Sequence, residues 1–207
     1  MKTRDYRDHL GDAKDAAFDI RPGNFFEKKK SQDRWDQYFL DIAEVVRQKS
    51  KDPSSKIGAV LVDQNKSIFS TGFNGFPIGV SDDPKRYNDR PTKYKYVCHA
   101  ERNAIALAAK KGSATGGSTL YLVGFGPPTA PCIECSKMII QSGIIRVVGR
   151  PFTSARADWM EDLQFSVALL EEAGVKFDDF GESCKRIGGC LHDIGFEDCC
   201  CDTGTCD

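Results

Sequence analysis

The sequence predicts a three-layer α-β-α domain of the α/β class, with a central mixed sheet and helices packed on its faces. Short apolar or β-rich runs alternate with amphipathic segments through the middle of the chain. The helical segments end on glycine, at Gly112, Gly143 and Gly174. The short strand candidates are largely apolar, as strands covered on both faces require.

The elements follow in order. Residues 1–30 mix charges, with Pro22-Gly23 and the run Lys28-Lys29-Lys30, and are expected to form an extension outside the domain. From Ser31, an N-cap candidate, Trp35, Phe39, Ile42, Val45 and Val46 recur at helical spacing, until Lys51-Asp52-Pro53 ends the helix. Ile57–Val62 and Ser67–Phe73 read as strands joined by a turn at Asp63-Gln64-Asn65. Gly75–Tyr96 reads as a long polar loop, a length that inside a compact domain usually carries function. Beyond it come a helix over Ala100–Lys111, a strand over Thr119–Val123, a helix over Cys132–Ser142 and a strand over Ile144–Val148. A helix over Asp158–Ala173 and a short strand over Val175–Phe177 close the domain, which the pattern bounds at 31–180. Residues 181–207 lose periodicity and become rich in Cys, Gly and Asp.

Composition narrows the function. Lys+Arg total 29 against Asp+Glu 30, a balance that gives no long-range attraction for a polyanion and counts against a nucleic-acid binder. A mononucleotide needs only a few local donors and stays open. No run reaches the roughly 20 apolar residues of a membrane span. The polar start at Met1–Leu10 is no secretory signal, so a cytoplasmic location is expected. In a reducing compartment, nine cysteines point to metal or redox chemistry before disulfides.

The chemistry concentrates in Cys98-His99-Ala100-Glu101 and, further on, Pro131-Cys132-Ile133-Glu134-Cys135. His99, Cys132 and Cys135 supply three ligands suited to tetrahedral Zn²⁺ with its fourth position open, the arrangement of a catalytic rather than a structural site. The order H-x-E then P-C-x-x-C is the zinc-deaminase signature. On one continuous helix His99 and Glu101 would point to nearly opposite sides. They face one metal only if the helix arrives end-on. Cys132 and Cys135 likewise open a helix, and two helix N-termini aimed at one point favour thiolates there. Glu101, not a ligand, is the candidate proton carrier between water, ring nitrogen and leaving ammonia. A structural zinc site with Cys98 as fourth ligand is the competing reading, and Glu101 discriminates, since such a site has no use for an unliganded carboxylate.

Trp35–Phe39, Ser50–Ala59, Gly72-Phe73-Asn74-Gly75 and Tyr96–Ile105 together resemble the deoxycytidylate (dCMP) deaminases, a likeness that runs from about Trp35 to about Val148. The resemblance implies a cytidine-deaminase-like fold and hydrolytic deamination of dCMP to dUMP. It implies that Asn74 bonds the sugar and that the loop holding Lys51, Ser54 and Ser55 lies near the phosphate, where a Lys and two hydroxyls can serve as charge-assisted donors. Asn74 between two glycines also fits a plain turn, and Ser54 a capping residue. The family further implies a homo-oligomer, typically a hexamer, with dCTP and dTTP as effectors. Gly124–Ala130 and the Cys-rich tail depart from its pattern. Rival functions are deamination of another small ring, such as a modified cytosine nucleotide or the riboflavin-pathway pyrimidine, and a non-catalytic zinc-binding regulatory module.

Overall fold

A computed structural model of the chain describes residues 22–126, 129–154 and 159–180. The Cys-rich tail and residues 1–21 of the expected extension lie outside them. The order is α1 (Pro22–Arg47), β1 (Gly58–Val62), β2 (Ile68–Phe73), α2 (Pro84–Asn88), α3 (Arg90–Tyr96), α4 (Ala100–Lys110), β3 (Thr119–Gly126), α5 (Ile133–Gln141), β4 (Arg146–Ser154), α6 (Met160–Glu172) and β5 (Lys176–Asp179). By its internal contacts the chain divides into Met1–Trp35 and Asp36–Asp207. Among the described residues the first unit holds the N-terminal part of α1, and the second holds the sheet and every other element.

Five strands form one mixed sheet in the order β2-β1-β3-β4-β5. The β2–β1 and β1–β3 pairs are antiparallel, and β3–β4 and β4–β5 are parallel. All five residues of β1 are buried, which explains its unbroken apolar run. Their side chains go alternately to two cores. Ala59 and Leu61 pack with Leu120 and Leu122 against Ala100, Ala104 and Ala108 of α4, Ile139 of α5 and Leu170 of α6. Val60 and Val62 pack with Tyr121 and Val123 against Phe39, Leu40 and Ala43 of α1. The three layers expected from the sequence are therefore present.

Two glycines set how closely the helices approach. A Cβ on Gly58 would run into the Ala43 carbonyl and sit 2.6 Å from the Arg47 amide of α1. On the other face, a Cβ on Gly72 would run into the Ala100 carbonyl and sit 2.5 Å from the Ala104 amide, so Gly72 fixes the seat of α4.

Three expectations are corrected. The first helix begins at Pro22, not Ser31. Proline is pre-set for a first helical position, and Ser31 falls inside the helix. Gly75–Tyr96 is not all loop, for it holds α2 and α3. Each starts on proline, at Pro84 and after Arg90, and Asp83 caps α2 by accepting from the Lys85 amide at 2.9 Å. Phe76 stacks on Tyr87 with centroids 4.0 Å apart, tying the segment down. Finally, β3 and β4 run past their expected ends because they extend each other: Gly124 pairs with Pro151, Phe125 with Thr153 and Gly126 with Ser154. Gly124, Phe125 and Gly126 of the Gly124–Ala130 departure are thus sheet.

Candidate metal centre and active-site cavity

His99 is the N-cap of α4, with extended backbone (φ −73°, ψ 156°), and Glu101 lies in the first turn. The change of backbone between the two residues lets both side chains serve one point, which a continuous helix would forbid. The cap is anchored to the end of β2 by two backbone hydrogen bonds between Gly75 and Cys98, at 2.8 and 3.1 Å. Cys132 is the N-cap of α5 (φ −68°, ψ 163°), with Cys135 a turn further on. Ahead of it, the Pro131 carbonyl accepts from Ser166 of α6 at 2.5 Å, and the Ser166 hydroxyl meets Ser136 at 2.6 Å.

The His99 Nδ1 atom lies 3.3 Å from Cys132 Sγ and 3.5 Å from Cys135 Sγ. The three ligand atoms fall within 4.8 Å of one another. With Zn–S of about 2.3 Å and Zn–N of about 2.0 Å, tetrahedral ligand atoms sit roughly 3.5 Å apart, so the set fits zinc. Cys98 does not join the group, and among the described residues no fourth protein donor does.

The electrostatics follow from burial and from contact between the donors. Cys132 is lowered to about 4, first by the hydrogen bond from Cys135 and then by His99. Cys135 is pushed up, first by its contact with Cys132 and then by burial. The bond to Cys132 raises His99. Glu101 is only 4% exposed, and burial lifts its carboxyl above the usual carboxylate range.

The donors open on a cavity of about 1000 Å³, which His99, Glu101 and Cys132 line together with Asn74, Ser54 and Ser55. Asn74 is buried and its amide is engaged: Oδ1 accepts from the Ile57 amide at 2.7 Å, and Nδ2 donates to the Ser55 carbonyl at 2.5 Å. Lys51 is elsewhere. Its ammonium pairs with Asp82 at 2.7 Å and its side chain is 66% exposed.

The reading from sequence missed Asp52 and Lys93. Asp52 is fully buried and accepts from the amides of Ser54 (2.9 Å) and Ser55 (3.0 Å) and from the Ser54 hydroxyl (3.0 Å). Lys93 of α3, also buried, reaches both Asp52 carboxylate oxygens at 2.8 and 2.7 Å and Ser54 Oγ at 2.7 Å. The Asp-x-Ser-Ser order carries an Asx-turn signal that could have found Asp52. No local signal marks Lys93.

Fold and donor set define the class: a mononuclear zinc hydrolase whose ligands sit at two helix N-termini, with a buried carboxylate beside them. The comparisons agree. A family model described as the cytidine and deoxycytidylate deaminase zinc-binding region matches residues 33–150. The human deoxycytidylate deaminase is 39% identical over 166 residues, covering 77% of this chain and 88% of the relative. The mouse enzyme is 40% identical over the same length and coverage. The crystal structure of dCMP deaminase from the cyanophage S-TIM5, in apo form, aligns with a TM-score of 0.51 at 29% identity, over 69% of this chain and 94% of that one. The chain belongs to the cytidine and deoxycytidylate deaminase family.

Proposed function

We propose that the protein deaminates dCMP to dUMP with zinc held by His99, Cys132 and Cys135 and with Glu101 as the proton carrier. The observation that carries this reading is the three-donor set with Glu101 buried beside it, on a cavity also lined by Asn74, Ser54 and Ser55. Family membership and the deoxycytidylate deaminases among the relatives support the substrate.

Zinc, when bound, supplies the Lewis acidity that makes water nucleophilic near neutral pH. Glu101 takes a proton from that water and gives it to N3 of the cytosine as the new C4–O bond forms. It then takes the second proton and gives it to the exocyclic nitrogen, which leaves as ammonia when the C4–N bond breaks. Water and a cytosine thus become a uracil and ammonia, and Glu101 ends as it began. A carboxyl lifted by burial suits a group that must both accept and donate.

Asn74 would bond the sugar, and Ser54 and Ser55 the phosphate, from the cavity wall that they line. Lys51, paired with Asp82, would have to leave that partner to join them. The deaminase domain spans 31–180, between an extension at 1–30 and a tail at 181–207. Among the described residues no helix is long and apolar enough to cross a membrane. The family resemblance supports a cytoplasmic homo-oligomer, a hexamer, with dCTP and dTTP as effectors.

The test is ammonia release from the zinc-loaded protein across dCMP, CMP, deoxycytidine, dCTP and guanine or adenine compounds. The reading expects dCMP to lead in kcat/KM. A lead for another ring overturns the substrate and leaves the metal chemistry standing.

A further inference from the structure

A monophosphate brings up to two negative charges into the cavity, and it needs a cation that is not already committed. Among the described residues three cations line this cavity: Arg90, Lys93 and Arg102. Lys93 spends its ammonium on both oxygens of Asp52 and on Ser54 Oγ, all within 2.8 Å. Arg102 follows Glu101 directly and lies in the field of the metal ligands Cys135 and Cys132, and its buried Nε has no hydrogen-bond partner among the described residues. A group beside the metal ligands stands at the reacting end of a nucleotide, whereas the 5′-phosphate lies a whole sugar beyond the base.

Arg90 remains. It is exposed and makes no ion pair among the described residues. Its Nε donates to the Tyr94 hydroxyl at 2.8 Å, and its guanidinium lies over the Tyr94 ring, 5.6 Å from the centroid. Tyr94 also lines the cavity and is 54% exposed, so the pair stands at the mouth. An arginine held by Nε and ring face keeps its two Nη groups as a preset fork, the geometry that binds phosphate oxygens in pairs.

We propose that Arg90, aimed by Tyr94, is the cation that receives the substrate's 5′-phosphate and makes the enzyme select a nucleotide over a nucleoside. The proposal rests on the monophosphate substrate assigned above. It moves the charge of that subsite from the 51–55 loop to α3. Asp52 and Lys93 then shape the loop without attracting the phosphate.

The experiment measures kcat/KM for dCMP and for deoxycytidine with the zinc-loaded full chain, as wild type, Arg90→Ala and Arg90→Lys. Zinc content and the circular dichroism spectrum establish that each variant is folded. Arg90→Ala should shrink the dCMP-to-deoxycytidine ratio by roughly tenfold or more, chiefly through KM for dCMP, as expected for loss of a charge-assisted pair of hydrogen bonds. Arg90→Lys should recover part of it, since it restores the charge but not the fork. A ratio unchanged within about twofold, or an equal loss on both substrates, overturns the assignment to Arg90 while the substrate reading stands. A wild type that does not prefer dCMP overturns both.

Discussion

Substituting Asp52 with alanine strikes the one buried carboxylate that organises the cavity loop. The change removes the acceptor of the Ser54 and Ser55 amides and of the Ser54 hydroxyl, at 2.9–3.0 Å. It also strips the partner from Lys93, whose side chain is 8% exposed and whose ammonium sits 2.7 Å from the carboxylate. Breaking a buried pair from one side costs about 3–5 kcal/mol, because the remaining charge is left without a partner. At roughly 2–4 °C per kcal/mol for a chain of this size, the midpoint of thermal unfolding should fall by about 6–20 °C. Lys93→Met should cost less, since Asp52 keeps two amides and a hydroxyl. The double variant should be more stable than the sum of the single losses predicts, by at least about 1 kcal/mol. Urea and thermal unfolding followed by circular dichroism give all three numbers. Single losses below about 1 kcal/mol, or strictly additive ones, would refute the view that the pair is a coupled element of the cavity.

Two other expectations are simpler. Glu101→Gln keeps shape and volume but cannot carry protons, so it should hold its zinc and lose roughly 10²–10⁴-fold or more in kcat; zinc lost together with activity would make Glu101 structural. Ser166→Ala removes the donor that fixes the Pro131 carbonyl ahead of Cys132, and it should speed zinc loss to a chelator by about tenfold, the scale found when groups supporting metal ligands are removed. An unchanged release rate in a folded Ser166→Ala variant would leave the Ser136–Ser166 pair as helix packing alone.

The site was legible in the sequence where its chemistry is local. His99, Glu101, Cys132 and Cys135 lie in two short motifs, each opening a helix, and the folding of α4 and α5 onto one sheet face brings them together. Asn74, Ser54 and Ser55 came from a resemblance and do line the cavity. The cations were the hard part. Lys51 is next to the right loop in sequence, yet its side chain leaves for Asp82. Lys93, 41 positions beyond Asp52, enters the same loop because α3 packs there. Gly75–Tyr96 hid that helix, since its Pro, Asp and Arg content matches a loop as well as two short capped turns. At the other end, the alternation of β1 and β3 between two cores follows from their apolar runs. The start of α1 does not, because the apolar spacing begins only near Trp35 while helical backbone begins at Pro22.

Zinc-dependent hydrolysis of dCMP is tested by following dUMP and ammonia together as dCMP is consumed. The protein is first stripped with a chelator and then titrated with zinc. The stripped protein should be inactive, dUMP and ammonia should appear in equal amounts, and activity should saturate at about one zinc per chain, apart from any metal taken by the tail cysteines. Full turnover without metal, or saturated zinc at His99, Cys132 and Cys135 with no dUMP formed, would contradict it.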